Sequence, residues 1–212
     1  MKGGIILLLK KMKELVDFQY QSPKGVLGLY FGEKMVLQHR PETIWTLNLL
    51  KLNKEEKILE LGCGAGFAMK LILKQPNVQQ VVGLDLSKSI LRSAKIRNIR
   101  AISKGKAELV LGNVSNIPLD NALFTKVFSI HSIYFWDITP ETVSEIYRVL
   151  KPKGSVTITL CNGKNGETWK GIQRMLEQQL LPIMTQIGFK NVKILKGPNS
   201  RHFHTIAVIG EK

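Results

Sequence analysis

The sequence predicts an α/β protein: a doubly wound, mostly parallel seven-stranded sheet with an antiparallel last strand, preceded by a helical N-terminal extension. Three observations carry that prediction. Short β-branched apolar runs alternate with segments of helical apolar spacing, which implies parallel strands joined by right-handed crossovers. The last two runs are separated only by "PNSR" (198–201), short enough for a hairpin and hence for one antiparallel strand. The first strand runs directly into the glycine-rich turn "LGCGAG" (61–66). Glycine weakens a regular element by roughly 0.5–1 kcal/mol relative to Ala, so the cluster serves a turn and not the strand. It is either a tight strand-to-helix turn or a cradle for a nucleotide-like group.

At 212 residues, with 44% apolar and 22% charged residues, the chain reads as one globular domain with a substantial core. Cys63 and Cys161 form neither a metal-ligand spacing nor a disulfide framework, so no metal is expected and the compartment is expected to be reducing and cytoplasmic. The formal charge of +15 has two readings, an anionic partner or a lysine-rich solvated surface. Between Leu86 and Ala107 there is no acid, while Lys88, Arg92, Lys95, Arg97, Arg100, Lys104 and Lys106 accumulate. Lys88, Arg92 and Lys95 share one helical face, and no aromatic residue interleaves to stack on single-stranded bases. The solvated face is the preferred reading, and specific nucleic-acid binding is not expected.

In chain order, the opening run "MKGGIILLLKKMKELV" (1–16) is too short to cross a bilayer, which takes roughly 20 residues, and no small-residue cleavage site follows it. Ile5, Leu8, Leu9, Met12, Leu15 and Val16 recur at helical spacing, which predicts an amphipathic helix packed on the domain or over its site. Residues 1–50 form the extension and 51–212 the sheet domain. The first strand precedes the glycine turn, and a helix follows over 67–74. "VVGLDL" (81–86) is the second strand, with a helix over 87–102 behind the N-cap Ser87. "ELVLGNV" (108–114) and "KVFSIHSI" (126–133) are the third and fourth strands. A helix over 139–150 has Thr139 as cap and Pro140 in its first turn. "SVTITLC" (155–161) is the fifth strand, and a helix over 166–188 must kink or break at Pro182. "KNVKILKG" (190–197) and "HFHTIAVIG" (202–210) close the sheet.

In an open α/β sheet a ligand sits at the carboxyl ends of the strands, where the winding reverses. The glycine turn, Asp85 after the second strand and Asn113 after the third converge on that edge. Asp85 can accept both hydroxyls of a ribose, and the Asn113 amide can pair with an adenine edge. Together they describe an adenosine site. A dinucleotide turn wants a third glycine where this chain has Phe67.

At these residues the chain resembles the class I S-adenosylmethionine-dependent methyltransferases, small-molecule type. The resemblance runs from about Lys57 to Lys212 on "LELGCGAG", "VVGLDLS", "LVLGNVSNIPL", "VFSIHSIYFW" and "EIYRVLKPKGSVTIT", in that family's order. It implies a Rossmann-like methyltransferase fold and S-adenosyl-L-methionine as cofactor. By the same resemblance Glu60 and the loop Gly62, Cys63, Gly64 and Gly66 meet the methionine portion, Asp85 the ribose, and Leu86 one adenine face. Asn113 and the Val114 amide meet the adenine edge, and Ile130 and His131 lie next to the sulfonium and the acceptor. The chain departs from the family pattern at Asn113, where an acid is usual, and at Thr125, where Asp is common.

The implied reaction is an in-line displacement, for which holding the reactants in line supplies roughly 7–11 kcal/mol. A base is needed only when the nucleophile arrives protonated. His131 is the first candidate, followed by His39, Tyr30 and Tyr134, which are also the expected acceptor contacts. The segment after the fifth strand is short, so the lid is expected from the extension, where "SPKGVLGLYFGEKM" and "HRPETIW" mix glycines, aromatics and His39. A small-molecule acceptor is the leading reading. An RNA or protein substrate engaging the basic 88–106 stretch, and a non-catalytic cofactor-binding module, are the alternatives.

Overall fold

The computed structural model describes residue 36 and residues 38–212. The amphipathic helix expected near the start of the chain, and Tyr30, lie outside the described residues. No helix among the described residues is long and apolar enough to cross a membrane.

Strand β1 (Glu56–Leu61) and strand β2 (Val78–Asp85) alternate their side chains between two cores. Leu59, Leu61, Val82 and Leu84 join one cluster, and Ile58 and Val81 join the other. Both faces are therefore buried, as a parallel sheet covered by helices requires. The remaining strands are β3 (Ala107–Leu111), β4 (Phe124–Ile130), β5 (Leu150–Lys164), the short β6 (Glu167–Thr168), β7 (Lys190–Ser200) and β8 (Phe203–Glu211). They pair in the order β3-β2-β1-β4-β5-β8-β7, with β6 paired to β5. The sheet thus has the seven long strands expected plus a two-residue eighth. β8 is antiparallel to both β5 and β7, which makes it the reversed strand near the end of the chain.

Helix α1 (Arg40–Leu49), helix α2 (Phe67–Ile72) and helix α3 (Lys88–Ser103) precede the 3-10 turn Ile133–Phe135. Helix α4 (Pro140–Val149), helix α5 (Lys170–Met175) and helix α6 (Leu181–Ile187) follow it. Leu47 of α1, Met69 of α2 and Leu91 of α3 pack into one core, while Val143 and Ile146 of α4 and Met184 of α6 pack into the other. The caps are those the sequence indicates: Ile90 donates its backbone N–H to Ser87 Oγ, and Thr142 donates its own to Thr139 Oγ1. α1 is seated by Trp45, whose ring would lie 2.7 Å from a Cβ at Gly197 of β7, and by a 2.7 Å bond between the Thr46 and Thr159 hydroxyls.

Two expectations are corrected and a third is refined. The helix expected over 166–188 begins at Lys170, because Asn165 and Gly166 both take left-handed φ (53° and 86°) and turn β5 back into β6. That is the two-residue hairpin turn that favours Asn-Gly. It also makes β5 longer than the expected 155–161. The link expected at 198–201 is mostly strand: β7 runs through Ser200, and the turn is Arg201–His202, again with left-handed φ (52° and 66°). Third, the kink or break expected at Pro182 takes the form of an interruption of the α-helical pattern just ahead of the proline. A π turn over Leu176–Leu180 widens the spiral just ahead of the proline, where the ring would otherwise clash with the carbonyl four residues back.

The loop between β3 and β4 carries part of the site and is held from α4. Arg148 donates to the carbonyls of Leu119 (2.8 Å) and Ile117 (2.8 Å) and to Asn121 Oδ1 (2.6 Å), while pairing with Glu145 at 2.6 Å. Glu145 in turn accepts the Ile117 N–H at 2.7 Å. An exposed ion pair alone contributes about 0.3–0.5 kcal/mol, so the carbonyl contacts dominate. Arg148→Ala is expected to cost about 2 kcal/mol in urea unfolding at neutral pH. Arg148's hydrogen bond also holds the Glu145 carboxyl below its usual range, with burial opposing and the Ile117 N–H assisting. A depressed folded-state pKa stabilises above the unfolded value and is lost as pH falls through the folded one. The Arg148→Ala penalty should therefore shrink below about pH 4.

Candidate active site

The winding reverses between β1 and β4, and a cavity of about 530 Å³ opens at the carboxyl ends of these strands. The glycine turn forms its floor. The backbone N–H groups of Gly62 (2.8 Å) and Cys63 (3.0 Å) both donate to the Leu84 carbonyl, and Gly66 donates to the Cys63 carbonyl at 2.9 Å. Gly62, Gly64 and Gly66 all have left-handed φ (70°, 50° and 72°), but what a side chain would meet differs at each. A Cβ at Gly62 would sit 2.3 Å from Ser132 Cβ, and one at Gly66 would sit 2.6 Å from Asn98 Nδ2 and 3.0 Å from Ala94 Cβ. A Cβ at Gly64 would meet nothing within 4 Å, because it would project into open space at the cavity. Gly66 accordingly does not line the cavity. It is a packing glycine that lets α2 approach α3, which bends at Asn98 where that side chain donates to the Gly66 carbonyl at 2.9 Å.

Glu60, Gly62, Cys63, Gly64, Asp85, Leu86, Asn113, Val114 and Ile130, all expected at the site, do line the cavity. Asp85 is not simply aimed at a ligand. Its Oδ2 accepts the Gly64 N–H at 2.9 Å and its Oδ1 the Ser87 N–H at 2.9 Å. Burial raises its pKa, and the N–H groups of Ser87, Gly64 and Leu86 oppose that rise. Glu60 is buried, and its Oε2 has no hydrogen-bond partner. Burial pushes its pKa well up, against the Met69 N–H and aided by Asp85. An orphaned carboxylate oxygen beside a glycine loop fits a cationic group such as an amino acid's ammonium. Leu86 is 65% exposed and offers an apolar face in the cavity wall. Asn113 Oδ1 accepts the Ser115 N–H at 3.1 Å, so its amide group and second lone pair stay free of that bond. These features fit S-adenosylmethionine. Thr125, the second departure from the family pattern, ties β4 to β1: its hydroxyl donates to the Lys57 carbonyl and accepts the Lys57 N–H.

The other end of the cavity gathers residues distant in sequence. His131 has φ +57°, and its N–H donates to the Thr159 carbonyl at 2.9 Å. Its ring centroid lies 4.3 Å from that of His39, and its Nδ1 lies 3.4 Å from the Tyr134 hydroxyl. Tyr134 is fixed through its hydroxyl to the backbone of Cys161. Burial lowers the pKa of His131 to about 3, helped by His39 and Arg201, and that of His39 to about 4. Both rings are neutral, and a conjugate acid so far below neutrality makes His131 a weak base in place of the expected one.

Sequence reading missed four contributors. Glu42 is fully buried one helical turn beyond His39, a spacing that puts both on one face. Arg201 reaches it across the sheet, at 3.4 Å from Glu42 Oε1 and 3.3 Å from His39 Nδ1. Trp169 and Phe203 form an edge-to-face pair in the wall at 6.0 Å. The segment after β5 therefore does help to enclose the site, through the β5–β6 hairpin and the β7–β8 turn.

The contrast between two glycines can be measured. Gly64→Val should leave a folded protein, destabilised by about 1–2 kcal/mol for its left-handed backbone, that no longer binds S-adenosylhomocysteine in calorimetry. Gly66→Val should instead lower the melting temperature sharply, because its side chain collides with Ala94 and Asn98.

The family description "Methyltransferase domain" matches residues 59–158, from β1 to β5. The uncharacterized methyltransferase YdaC of Bacillus subtilis is 26% identical over 163 residues, 77% of this chain and 87% of that protein. The 24-methylenesterol C-methyltransferase 2 of Arabidopsis thaliana is 32% identical over 113 residues, 53% of this chain, and this chain covers only 31% of its length. Among solved structures, phosphoethanolamine N-methyltransferase 2 of Haemonchus contortus, in complex with phosphomonomethylethanolamine and S-adenosylhomocysteine, superimposes with a TM-score of 0.66 at 17% identity. That match covers 81% of this chain and 52% of that one, and shows a shared fold. The motifs and the sheet order agree with that match, and together they support a class I S-adenosylmethionine-dependent methyltransferase.

Proposed function

We propose that the protein transfers the methyl group of S-adenosylmethionine to a small, largely apolar molecule, with residues 51–212 holding the cofactor and residues 1–50 covering the acceptor. The observation that carries this reading is the character of the cavity beyond the glycine loop. Its wall there carries Tyr134, Phe135, Trp136, Trp169 and Phe203 beside the more polar His39, His131 and Arg201, a mostly aromatic lining that suits a compact, largely apolar ligand. Its volume, about 530 Å³, lies within the range of small-molecule sites, roughly 300–1,000 Å³. Lys88, Arg92 and Lys95 are exposed on α3, and none of them is among the described residues that line the cavity, so the basic stretch gives this site no support as a nucleic-acid contact.

When bound, S-adenosylmethionine supplies a methyl group already activated by positive sulfur. Glu60 and the loop Gly62, Cys63 and Gly64 hold the amino-acid end, Asp85 the ribose hydroxyls, and Leu86, Asn113 and Val114 the adenine. Ile130 and His131 border the transfer position, and His39 and Tyr134 contact the acceptor. With both histidines neutral, these residues position the acceptor and exclude water, and the acceptor's nucleophilic atom needs little help with its proton. The sterol and phosphoethanolamine enzymes that this chain resembles are named for small acceptors, which supports the same class.

Purified protein given methyl-labelled S-adenosylmethionine and separate small-molecule, protein and RNA fractions of a cell extract tests this. Label is expected in an organic-extractable small molecule, with none above background in the macromolecular fractions. Labelling of RNA or protein alone would replace the reading, and no transfer to any fraction despite tight cofactor binding would favour a non-catalytic module.

A further inference from the structure

Behind the acceptor end of the cavity lies a cluster that cofactor binding leaves unused. One ligand atom each from His39, Glu42 and His131 falls within 4.8 Å of the others. Glu42 is fully buried, its Oε2 has no hydrogen-bond partner, and its other oxygen meets Arg201 only at 3.4 Å. His131 Nε2 is likewise buried without a partner. A buried carboxylate that is so poorly satisfied calls for a missing counter-charge or ligand. We propose that His39, Glu42 and His131 form a binding site for one divalent transition-metal ion of the zinc class.

The donor set, two imidazoles and one carboxylate, suits a borderline ion such as Zn²⁺ and not Mg²⁺, which prefers oxygen. Ligand atoms on a tetrahedral ion with bonds of about 2.1 Å lie about 3.4 Å apart, so a pair as wide as 4.8 Å closes by about 1.4 Å when the ion binds. Tyr134 stands at the second nitrogen of His131, held by the Cys161 backbone, in the place of the hydrogen-bonding partner that usually orients a metal-bound histidine. His39 and His131 both face the cavity, so the ion keeps an open side toward a bound acceptor. Arg201 is the competitor. It holds Glu42 Oε1 and His39 Nδ1 by contacts of 3.4 and 3.3 Å, its side chain is 38% exposed, and its guanidinium lies 5.4 Å from the Phe203 ring. It can leave the carboxylate and remain stacked on Phe203.

The site stands on this cluster and not on methyl transfer, and its test reads metal binding directly. Chelator-treated protein is titrated with Co²⁺, followed by its visible ligand-field absorption, and then with Zn²⁺ in competition. One equivalent of Co²⁺ is expected to bind and to be displaced by Zn²⁺, with Mg²⁺ without effect. Glu42→Gln, His39→Gln and His131→Asn should each bind at least about tenfold more weakly. Asparagine is chosen at His131 because it tolerates the left-handed backbone there. Arg201→Gln removes the competitor from a half-exposed position and should bind more tightly, which a merely structural role for the cluster does not predict. Absence of stoichiometric binding in both wild type and Arg201→Gln would overturn the proposal. So would binding that is unchanged in all three ligand variants, or weakened in Arg201→Gln.

Discussion

The Asp85 carboxylate joins the two loops on which the cofactor half of the site depends. One oxygen holds the Gly64 N–H of the first strand-to-helix loop, and the other holds the Ser87 N–H at the start of α3. Each bond to a charged acceptor is worth on the order of 1.5–3 kcal/mol. That is enough to offset the left-handed backbone the glycine turn must adopt. Because both oxygens are engaged before any ligand arrives, Asp85 sets the shape of the cradle. An isosteric Asn would present an amide N–H₂ to one of those two donors, so its effect reaches the folded state as well as the ligand.

The rest of the site is arranged around that clasp by two longer connections. Arg148 and Glu145 pin the β3–β4 loop, and with it the stretch that follows Asn113 and Val114. Ser132, whose hydroxyl donates to the Leu61 carbonyl at 2.9 Å and shares a 2.6 Å bond with Ser129, closes the end of β4 against β1. The same Ser132 is what leaves no room for a side chain at Gly62. Polar backbone groups thus gather at the glycine-loop end of the cavity, while aromatic side chains and two histidines gather at the other end. The division follows from position: strand ends expose N–H and C=O groups, and the hairpin and turn beyond them can present large side chains.

What the sequence disclosed was whatever is local. The strand-glycine-helix succession, Asp85 and Asn113 at strand ends, and the caps Ser87 and Thr139 each need only a few consecutive residues, and each has its counterpart in the structure. What it withheld depends on partners far along the chain. Nothing near Gly66 says that its neighbour is Asn98, and nothing near Glu42 announces Arg201, which lies 159 positions away. The β5–β6 hairpin is a different failure. Asn165–Gly166 is a strong local turn signal, but the helical periodicity of the residues behind it extends back over it. At Pro182 the expected kink or break takes the form of a π turn, a solution that a proline alone does not indicate.

Amide hydrogen exchange at Gly64 and Ser87 in the ligand-free protein tests the role of Asp85 most directly. Both amides should exchange far more slowly than an open turn, and Asp85→Ala should remove that protection at both while the amides of β1 and β4 keep theirs. A Gly64 amide that exchanges as fast as an unstructured peptide in the wild type, or one indifferent to the loss of Asp85, would contradict it.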